Sequence, residues 1–221
     1  MVAVYAARKV GSTGSVLGVD ISEGMLEKAR AKAAELQNAS FERGDGDALG
    51  FPPNSFDFIF CSSAFILMTD LHAVLLHWNE LLKPGGKLGF HAFSENAFVS
   101  GVVAQSVLSN YGVAYLMNQP TGTAEKCQTL LEEAGYANID IVVDASSTYI
   151  SLDEARAAWV GTMRPAPGQF PHPLASLSPQ QLVLAKAEYD AALEKMNTRD
   201  GIENNLTTFH VFGEKQDFLD D

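Results

Sequence analysis

The sequence has few basic residues and only two cysteines. Its 15 lysines and arginines stand against 27 aspartates and glutamates, which gives a formal net charge of −12. Because such a charge opposes binding to a phosphate backbone or an anionic lipid surface, we expect no nucleic-acid substrate. Cys61 and Cys127 lie far apart, on a predicted strand and a predicted helix. They are therefore predicted to be buried free thiols, not a disulfide or a metal-binding pair.

Long hydrophobic runs are also absent. The longest apolar stretch, residues 56–68, is too short and too interrupted by serines to span a bilayer. The N-terminus lacks the layout of a signal peptide. We therefore expect no membrane span and a cytoplasmic location. With 221 residues, of which 47% are hydrophobic and 19% charged, the chain is long enough to bury a full core.

Strands and helices alternate along residues 15–93. Apolar strands are predicted at residues 15–19, 40–42, 56–61 and 87–93. Helices are predicted to begin after Ser22 and Asp70, both good N-cap residues. The run at residues 56–61 is apolar on both faces, as in a parallel strand that is covered on both sides. This order predicts an α/β fold with a doubly wound, mostly parallel sheet in three layers.

The pattern becomes mostly helical after Phe93. A helix is predicted over residues 96–117, another begins after Thr123, and Ser151 with Glu154 forms a capping box. Further predicted elements are a strand at residues 139–143, a proline-rich connector at 165–173, a helix at 178–197 and a strand at 207–212. We therefore predict one domain over residues 1–221, with helical lid segments at about 94–120 and 151–200.

Asp20 ends the first predicted strand and is followed at once by a helix. In a parallel α/β sheet, this position lets a carboxylate accept hydrogen bonds from the two hydroxyls of a ribose. An acid there can also simply stabilise the helix through its dipole, so both interpretations stay open. The sequence Gly-Asp-Gly-Asp at residues 44–47 follows the second predicted strand, although it is also a plain turn signal.

Four motifs together resemble one known family. They are Gly18-Val19-Asp20-Ile21-Ser22 with Met25, Gly44-Asp45-Gly46, Asn54-Ser55-Phe56-Asp57 running on to Cys61-Ser62-Ser63, and Leu82-Lys83-Pro84-Gly85-Gly86. In this order and spacing they resemble the class I S-adenosylmethionine-dependent methyltransferases, most closely the small-molecule branch that includes ubiquinone and menaquinone biosynthesis. The resemblance is specific over residues 14–93 and weak beyond them. It implies a Rossmann-like fold and S-adenosylmethionine as the cofactor.

The resemblance also implies which residues hold the cofactor. Asp20 would bind the ribose, while Ile21 and Met25 would sandwich the adenine ring. Asp45 would accept a hydrogen bond from the adenine amine, with the Gly46 N–H facing a ring nitrogen. The aspartate two residues after Asp45 is the alternative for that role. For Met25, ordinary core packing is an equally good interpretation.

The acceptor side of the site is predicted after the strand that ends at Cys61. Ser62 would line the cleft beside the methyl group, and Phe65 would shape the pocket for the methyl acceptor. Residues 65–68 are wholly apolar, unlike the polar or His-bearing pattern common in the family, which favours a hydrophobic acceptor. The alternative is a turn that is buried under the sheet.

Five histidines are candidates for a catalytic base, which is needed if the acceptor must lose a proton. His91, at the carboxyl end of the strand after the Pro-Gly-Gly turn, is the best placed, although a packed histidine is the commoner case. His172 is a weaker candidate, His72 and His77 are expected to face solvent, and His210 is expected to be packed. No spacing of His, Cys and Asp residues supports a metal site.

The Gly-rich turn that opens the fold in this family has no counterpart before Val16. Family members begin with a strand ending in Asp/Glu-x-Gly-x-Gly-x-Gly, whose backbone approaches the methionine part of the cofactor. That strand is expected between those ending at Asp20 and near Cys61, so its loss would leave unpaired backbone groups. The chain is expected to be either a truncated product of a longer gene or a degenerate relative.

Three functions compete on these observations. The leading hypothesis is transfer of a methyl group from S-adenosylmethionine to a small, apolar or aromatic acceptor. The second is a non-catalytic scaffold that no longer binds the cofactor, which the missing turn favours. A nicotinamide-dependent dehydrogenase would also place an acid at Asp20, but no Tyr-x-x-x-Lys or similar hydride-transfer set is present. The sequence carries no signal for an oligomeric state.

Overall fold

A computed structural model describes residues 2–114, 118–161 and 173–216 of the chain. The chain divides into two compact units. The first unit is Met1–Phe90, Gln128–Asp140 and Val211–Asp221, and the second unit is His91–Cys127 and Ile141–His210. Both predicted lid segments, at about 94–120 and 151–200, fall in the second unit. The assignment of residues 1–221 to a single domain stays a prediction.

Helices and strands alternate through the first ninety residues, as the sequence predicts. Within the described residues, the helices are α1 (Val2–Val10), α2 (Glu23–Lys32), α3 (Leu71–Leu81), α4 (Val99–Ser109), α5 (Ala124–Glu133), α6 (Leu152–Gly161) and α7 (Pro179–Met196). The strands are β1 (Val16–Asp20), β2 (Ala39–Arg43), β3 (Phe56–Cys61), β4 (Leu82–Phe93), β5 (Tyr136–Asp144), β6 (Ser147–Ile150), β7 (Ile202–Asn205) and β8 (Thr208–Lys215).

Apart from β6 and β7, the described strands form two separately paired groups. β1 and β2 pair in parallel, with Val16 opposite Ala39 and Asp20 opposite Arg43. The other group has the order β3-β4-β8-β5, and β3 and β4 also pair in parallel. Among the described residues, no ladder joins β1 to β3.

The core of the first unit is built around α3. Asp70 caps the helix by accepting a hydrogen bond from Ala73 N at 3.0 Å, as predicted. The ring of Phe65 lies 5.8 Å from that of Trp78 and 4.4 Å from that of Phe90, measured between centroids. All three rings are buried. Because burial of one large apolar side chain is worth about 1.5–3 kcal/mol, this cluster contributes substantially to the stability of the unit.

One face of β3 is uncovered. The side chains of Phe58 and Phe60 are 56% and 53% exposed, and their rings stack with centroids 6.0 Å apart. Gly89 lies under the second ring, since a Cβ at that glycine would come within 2.7 Å of Phe60. The expectation that this strand is covered on both faces is therefore wrong for the described residues. An apolar run alone does not reveal which neighbours cover it.

A bulge shapes the start of β4. Phe56 lies opposite Leu82 and Phe58 opposite Lys87, so the register shifts across the Pro-Gly-Gly turn. Gly85 has a φ of 69°, and a Cβ on Gly86 would come within 2.7 Å of the Lys83 carbonyl oxygen. Both positions therefore require glycine. The predicted strand at residues 87–93 consequently begins earlier, directly after α3.

The second unit has a core of its own. Helices α4, α6 and α7 pack together, and their buried residues include Leu108, Ala155, Trp159, Tyr189 and Leu193. Helix α7 begins with a capping box, in which Gln181 N donates to Ser178 Oγ and Ser178 N donates to Gln181 Oε1. The predicted helical character of this region is confirmed.

An antiparallel pair of strands in the second unit is not predicted from the sequence. Strands β6 and β7 pair antiparallel, with Ser147 opposite Asn205 and Ile150 opposite Ile202. The helix predicted over residues 96–117 is also shorter than expected. It ends at Ser109, and Gly112 takes a left-handed φ of 71° that a helix cannot continue through.

Both cysteines are free thiols, as predicted. Burial raises the pKa of Cys61 to about 11 and that of Cys127 to about 12. Since the thiolate is the reactive form, these thiols are poor nucleophiles at neutral pH. None of the described helices combines the length and the apolar character needed to cross a bilayer.

Candidate functional site

Two loops meet at the carboxyl ends of β1 and β2. Because the strands run parallel with Asp20 opposite Arg43, the loop that leaves β2 begins beside Asp20. The backbone confirms this, since Gly44 N donates a hydrogen bond to Asp20 O at 3.2 Å. Carboxyl ends of neighbouring parallel strands are where ligands bind in open α/β sheets. The residues that the sequence predicts for the cofactor, Asp20, Ile21, Met25, Asp45 and Gly46, lie on these two loops.

The carboxylate of Asp20 is oriented by the backbone of the next turn. Its Oδ1 accepts a hydrogen bond from Ser22 N at 2.8 Å. Ile21 and Met25, which follow it, are 37% and 54% exposed, while Leu26 makes the buried contact of α2. Core packing is therefore not the role of Met25. Its predicted contact with adenine stays a prediction.

The two aspartates of the loop have different surroundings. Asp45 is exposed, and its side chain caps a short 3-10 turn by accepting from Asp47 N at 3.1 Å. Asp47 is half-buried, and its Oδ2 accepts from Thr69 N at 2.9 Å. Its Oδ1 is buried and has no hydrogen-bond partner among the described residues. A buried carboxylate oxygen without a donor is uncommon, and this distinguishes Asp47 from Asp45.

Gly46 fixes this loop against the rest of the first unit. Trp78 Nε1 donates to Gly46 O at 3.0 Å. A Cβ on Gly46 would come within 2.6 Å of the Met68 methyl group, so the Met68 side chain lies close against this loop. The loop is therefore held by both α3 and the segment after β3. Such rigid support is what a binding loop needs to keep its donors and acceptors in place.

The residues predicted for the acceptor side differ in exposure. Ser62 is exposed at the end of β3, and Ser63 after it has a left-handed φ of 60°. Phe65 is buried in the aromatic cluster of the core. Two interpretations of residues 65–68 are open, a surface for a hydrophobic acceptor and a turn buried under the sheet. For Phe65, its burial favours the buried turn.

His91 belongs to the second unit, and the residues predicted for the cofactor all belong to the first. Burial and, to a smaller extent, the charge of His210 lower the pKa of His91 below its ordinary value. His172 falls outside the described residues. His72 and His77 are half-buried, and His77 Nε2 lies 2.9 Å from Leu49 O, so the expectation that they face solvent is wrong.

The N-terminal part of the chain matches a known family. Residues 1–86 match the family described as a methyltransferase domain. The chain is 41% identical over 87 residues to aklanonic acid methyltransferase DauC from Streptomyces, a match that takes in 38% of this chain and 40% of the relative. Demethylmenaquinone methyltransferase from Staphylococcus aureus is 40% identical over 83 residues, or 38% of this chain and 34% of the relative.

Solved structures extend the likeness of fold beyond that segment. The YcgJ protein from Bacillus subtilis superposes with a TM-score of 0.57 at 17% identity, covering 92% of this chain and 83% of that one. Phosphoethanolamine N-methyltransferase 2 from Haemonchus contortus, solved with S-adenosyl-L-methionine, gives a TM-score of 0.51 at 19% identity, over 96% of this chain and 46% of that one. The predicted Rossmann-like fold is confirmed.

The matched segment is therefore similar to methyltransferases that act on small molecules, which agrees with the resemblance that the sequence motifs indicate. The matches span well under half of the length of these curated relatives.

Proposed function

We propose that the protein binds S-adenosylmethionine through its first unit and transfers the methyl group to a small, apolar or aromatic acceptor. One observation carries the proposal. The Asp20 carboxylate and the loop with two aspartates stand side by side at the carboxyl ends of β1 and β2. Two acidic acceptors at adjoining strand ends suit a ligand that offers both ribose hydroxyls and an adenine amine.

The residues present fit this cofactor. The exposed side chains of Ile21 and Met25 follow Asp20 and offer apolar surface for a purine ring. The unpaired Oδ1 of Asp47 can accept from an exocyclic amine, which favours Asp47 over Asp45 for that role. When bound, the cofactor supplies a methyl group on a sulfonium, which a nucleophile can displace in line. The predicted contacts of Asp20, Gly46 and Ser62 complete the proposed cofactor set.

For the acceptor, we propose that His91 accepts a proton where the reacting group must lose one. Its lowered pKa supports this role, because the imidazole is neutral near pH 7. Beyond this, methyl transfer requires chiefly that the protein position two partners and exclude water. Phe65 does not enter the proposed acceptor set, because it is buried in the core.

Calorimetric titration of the chain with S-adenosylhomocysteine tests the proposal. We expect saturable heat and a rise in melting temperature with ligand concentration, because a ligand that binds only the folded state stabilises it by mass action. Absence of both at millimolar ligand would refute cofactor binding and favour the scaffold hypothesis. Transfer of a radiolabelled methyl group to a panel of hydroxylated aromatic compounds then tests catalysis.

Asp47→Asn separates the two aspartates of the loop. We expect it to weaken S-adenosylhomocysteine binding about tenfold, because the amide places a donor against the adenine amine or gives up the Thr69 contact. Asp45→Asn is the matched control. Asparagine caps the short 3-10 turn as well as aspartate does, so we expect the affinity for S-adenosylhomocysteine to stay the same. The opposite ranking of the two variants would assign the adenine amine to Asp45.

A ligand without the amine makes this test specific. S-inosylhomocysteine carries an oxygen in place of the exocyclic amine, so it is expected to bind the unmodified protein more weakly. Asp47→Asn should then cause no additional loss for that ligand. A further loss would show that the substitution acts on the loop as a whole, not on the amine contact.

A further inference from the structure

The loop at residues 45–49 is shaped by hydrogen bonds between near neighbours. Asp47 N donates to Asp45 Oδ1 and Ala48 N donates to Asp45 O, both at 3.1 Å. These bonds join residues two and three positions apart, so they form a turn without fixing its place in the unit. The proposed contacts with adenine come from this turn. Its place therefore decides whether those contacts can form.

Two side chains of α3 fix the ends of the turn. Trp78 is buried, and its Nε1 donates to Gly46 O at 3.0 Å. His77 Nε2 lies 2.9 Å from Leu49 O. Because a carbonyl oxygen can only accept, this ring nitrogen of His77 carries the proton. Adjacent residues of one helix thus hold Gly46 and Leu49, the two ends of the turn.

The residues before α3 hold the middle of the turn. Thr69 N donates to Asp47 Oδ2 at 2.9 Å, and the Met68 side chain lies against Gly46. The bond from Thr69 orients the Asp47 carboxylate from one side. The other oxygen, Oδ1, has no hydrogen-bond partner among the described residues, and in the proposed function it accepts from the adenine amine.

Trp78 also packs into the core of the first unit. Its ring centroid lies 5.8 Å from that of Phe65, which lies 4.4 Å from that of Phe90. All three rings are buried. Since buried side chains are closely packed, the indole cannot turn away from Gly46 without disturbing its neighbours. Trp78 therefore connects the loop to a rigid part of the unit.

We propose that Trp78 and His77 are positioning residues, which hold the loop at residues 45–49 in the conformation that meets the edge of adenine. They act through Gly46, Asp47 and Leu49. Because they fix the loop in advance, its ordering does not have to be supplied when the ligand binds. That the ligand is S-adenosylmethionine rests on the proposed function.

Trp78→Phe tests the first of the two contacts, since it keeps an aromatic ring and removes the indole N–H. We expect the affinity for S-adenosylhomocysteine to fall about fivefold in a calorimetric titration, because one hydrogen bond that fixes the loop is lost. Trp159→Phe makes the same change at a buried tryptophan of the second unit and should leave the affinity unchanged. Equal affinities of the two variants would contradict the role of Trp78.

A double substitution shows whether Trp78 acts through Asp47. In protein that already carries Asp47→Asn, the contact that Trp78 positions is impaired. We therefore expect Trp78→Phe to lower the affinity by less than about twofold in that background. A merely structural role would give the same fivefold loss with and without Asp47→Asn, and that result would overturn the proposal.

His77 allows a rescue experiment that disturbs the core less, because this residue is only half-buried. His77→Leu removes the donor to Leu49 O, and we expect it to weaken S-adenosylhomocysteine binding about threefold. His77→Gln carries a side-chain amide that can donate in its place, so the affinity should return close to that of the unmodified protein. Equal losses in the two variants would refute the role of His77.

Hydrogen exchange separates this inference from the proposed function, because it needs no ligand. In the ligand-free protein, we expect Trp78→Phe to accelerate exchange of the Asp47 and Ala48 amides about tenfold, and Trp159→Phe to leave it unchanged. Unchanged exchange in Trp78→Phe, with normal binding of S-adenosylhomocysteine to the unmodified protein, would overturn the positioning role alone. Accelerated exchange in a protein that does not bind S-adenosylhomocysteine would confirm that Trp78 holds the loop and overturn the proposed function.

Discussion

Asp20→Ala is expected to weaken S-adenosylhomocysteine binding about 100-fold, or about 2.7 kcal/mol, in a calorimetric titration. The carboxylate stands at the carboxyl end of β1, where the proposed ribose offers two hydroxyls as donors. Hydrogen bonds to a charged group are worth about 1.5–3 kcal/mol each, which makes this the largest single loss we expect in the cofactor site. The fold should be nearly unaffected, because the hydrogen bond that this side chain accepts within the described residues, from Ser22 N, is exposed.

Two further variants control this experiment. Asp20→Asn keeps an oxygen that can accept from Ser22 N but removes the negative charge. We therefore expect the affinity for S-adenosylhomocysteine to fall by an intermediate factor of about ten. Glu35→Ala removes the same charge from an exposed position after α2 and should leave the affinity unchanged. If Glu35→Ala weakened binding as much as Asp20→Ala, the effect would be one of net charge and the ribose contact would be disproved.

Tyr189→Ala is expected to destabilise the second unit by about 4 kcal/mol in urea denaturation. Tyr189 is fully buried, its ring centroid lies 4.7 Å from that of Trp159, and its hydroxyl donates to Ala155 O at 2.6 Å. Removal of the ring leaves a cavity among α4, α6 and α7 that these helices cannot fill without moving. Hydrogen exchange should therefore accelerate in the amides of those three helices.

Tyr189→Phe separates the ring from the hydroxyl. It is expected to destabilise the unit by only about 1 kcal/mol, because Ser100 Oγ, at 3.3 Å, also donates to the Ala155 carbonyl. Tyr149→Ala makes the same truncation at an exposed tyrosine of the second unit and should change stability by less than about 1 kcal/mol. Equal effects of Tyr189→Ala and Tyr149→Ala would show that the buried cluster does not stabilise the unit.

The sequence predicts best the features that depend on short, local signals. Asp70 and the capping box of Ser151 and Glu154 begin their helices as expected, because capping depends only on residues three positions apart. The Asp20 strand end and the loop at residues 44–47 are likewise predicted from motif and spacing. Their adjacency then follows from the parallel pairing of two strands that are close in sequence.

Features that depend on distant partners are not predictable in the same way. Strands β6 and β7 are short and partly polar, and their partners lie more than fifty residues apart, so no local pattern indicates them. The left-handed Phe98 contradicts local preference and exists because β7 holds it. Asp45 and Asp47 have the same chemistry in sequence, and only their hydrogen bonds distinguish them.

The uncovered rings of Phe58 and Phe60 also govern the colloidal behaviour of the protein. They lie on β3, the terminal strand in its sheet order among the described residues, and an open apolar strand edge favours association between molecules. The net charge of −12 keeps molecules apart by repulsion. Salt shortens the range of that repulsion from about 10 Å at 0.1 M to about 3 Å at 1 M. We therefore expect association through these phenylalanines to increase with ionic strength.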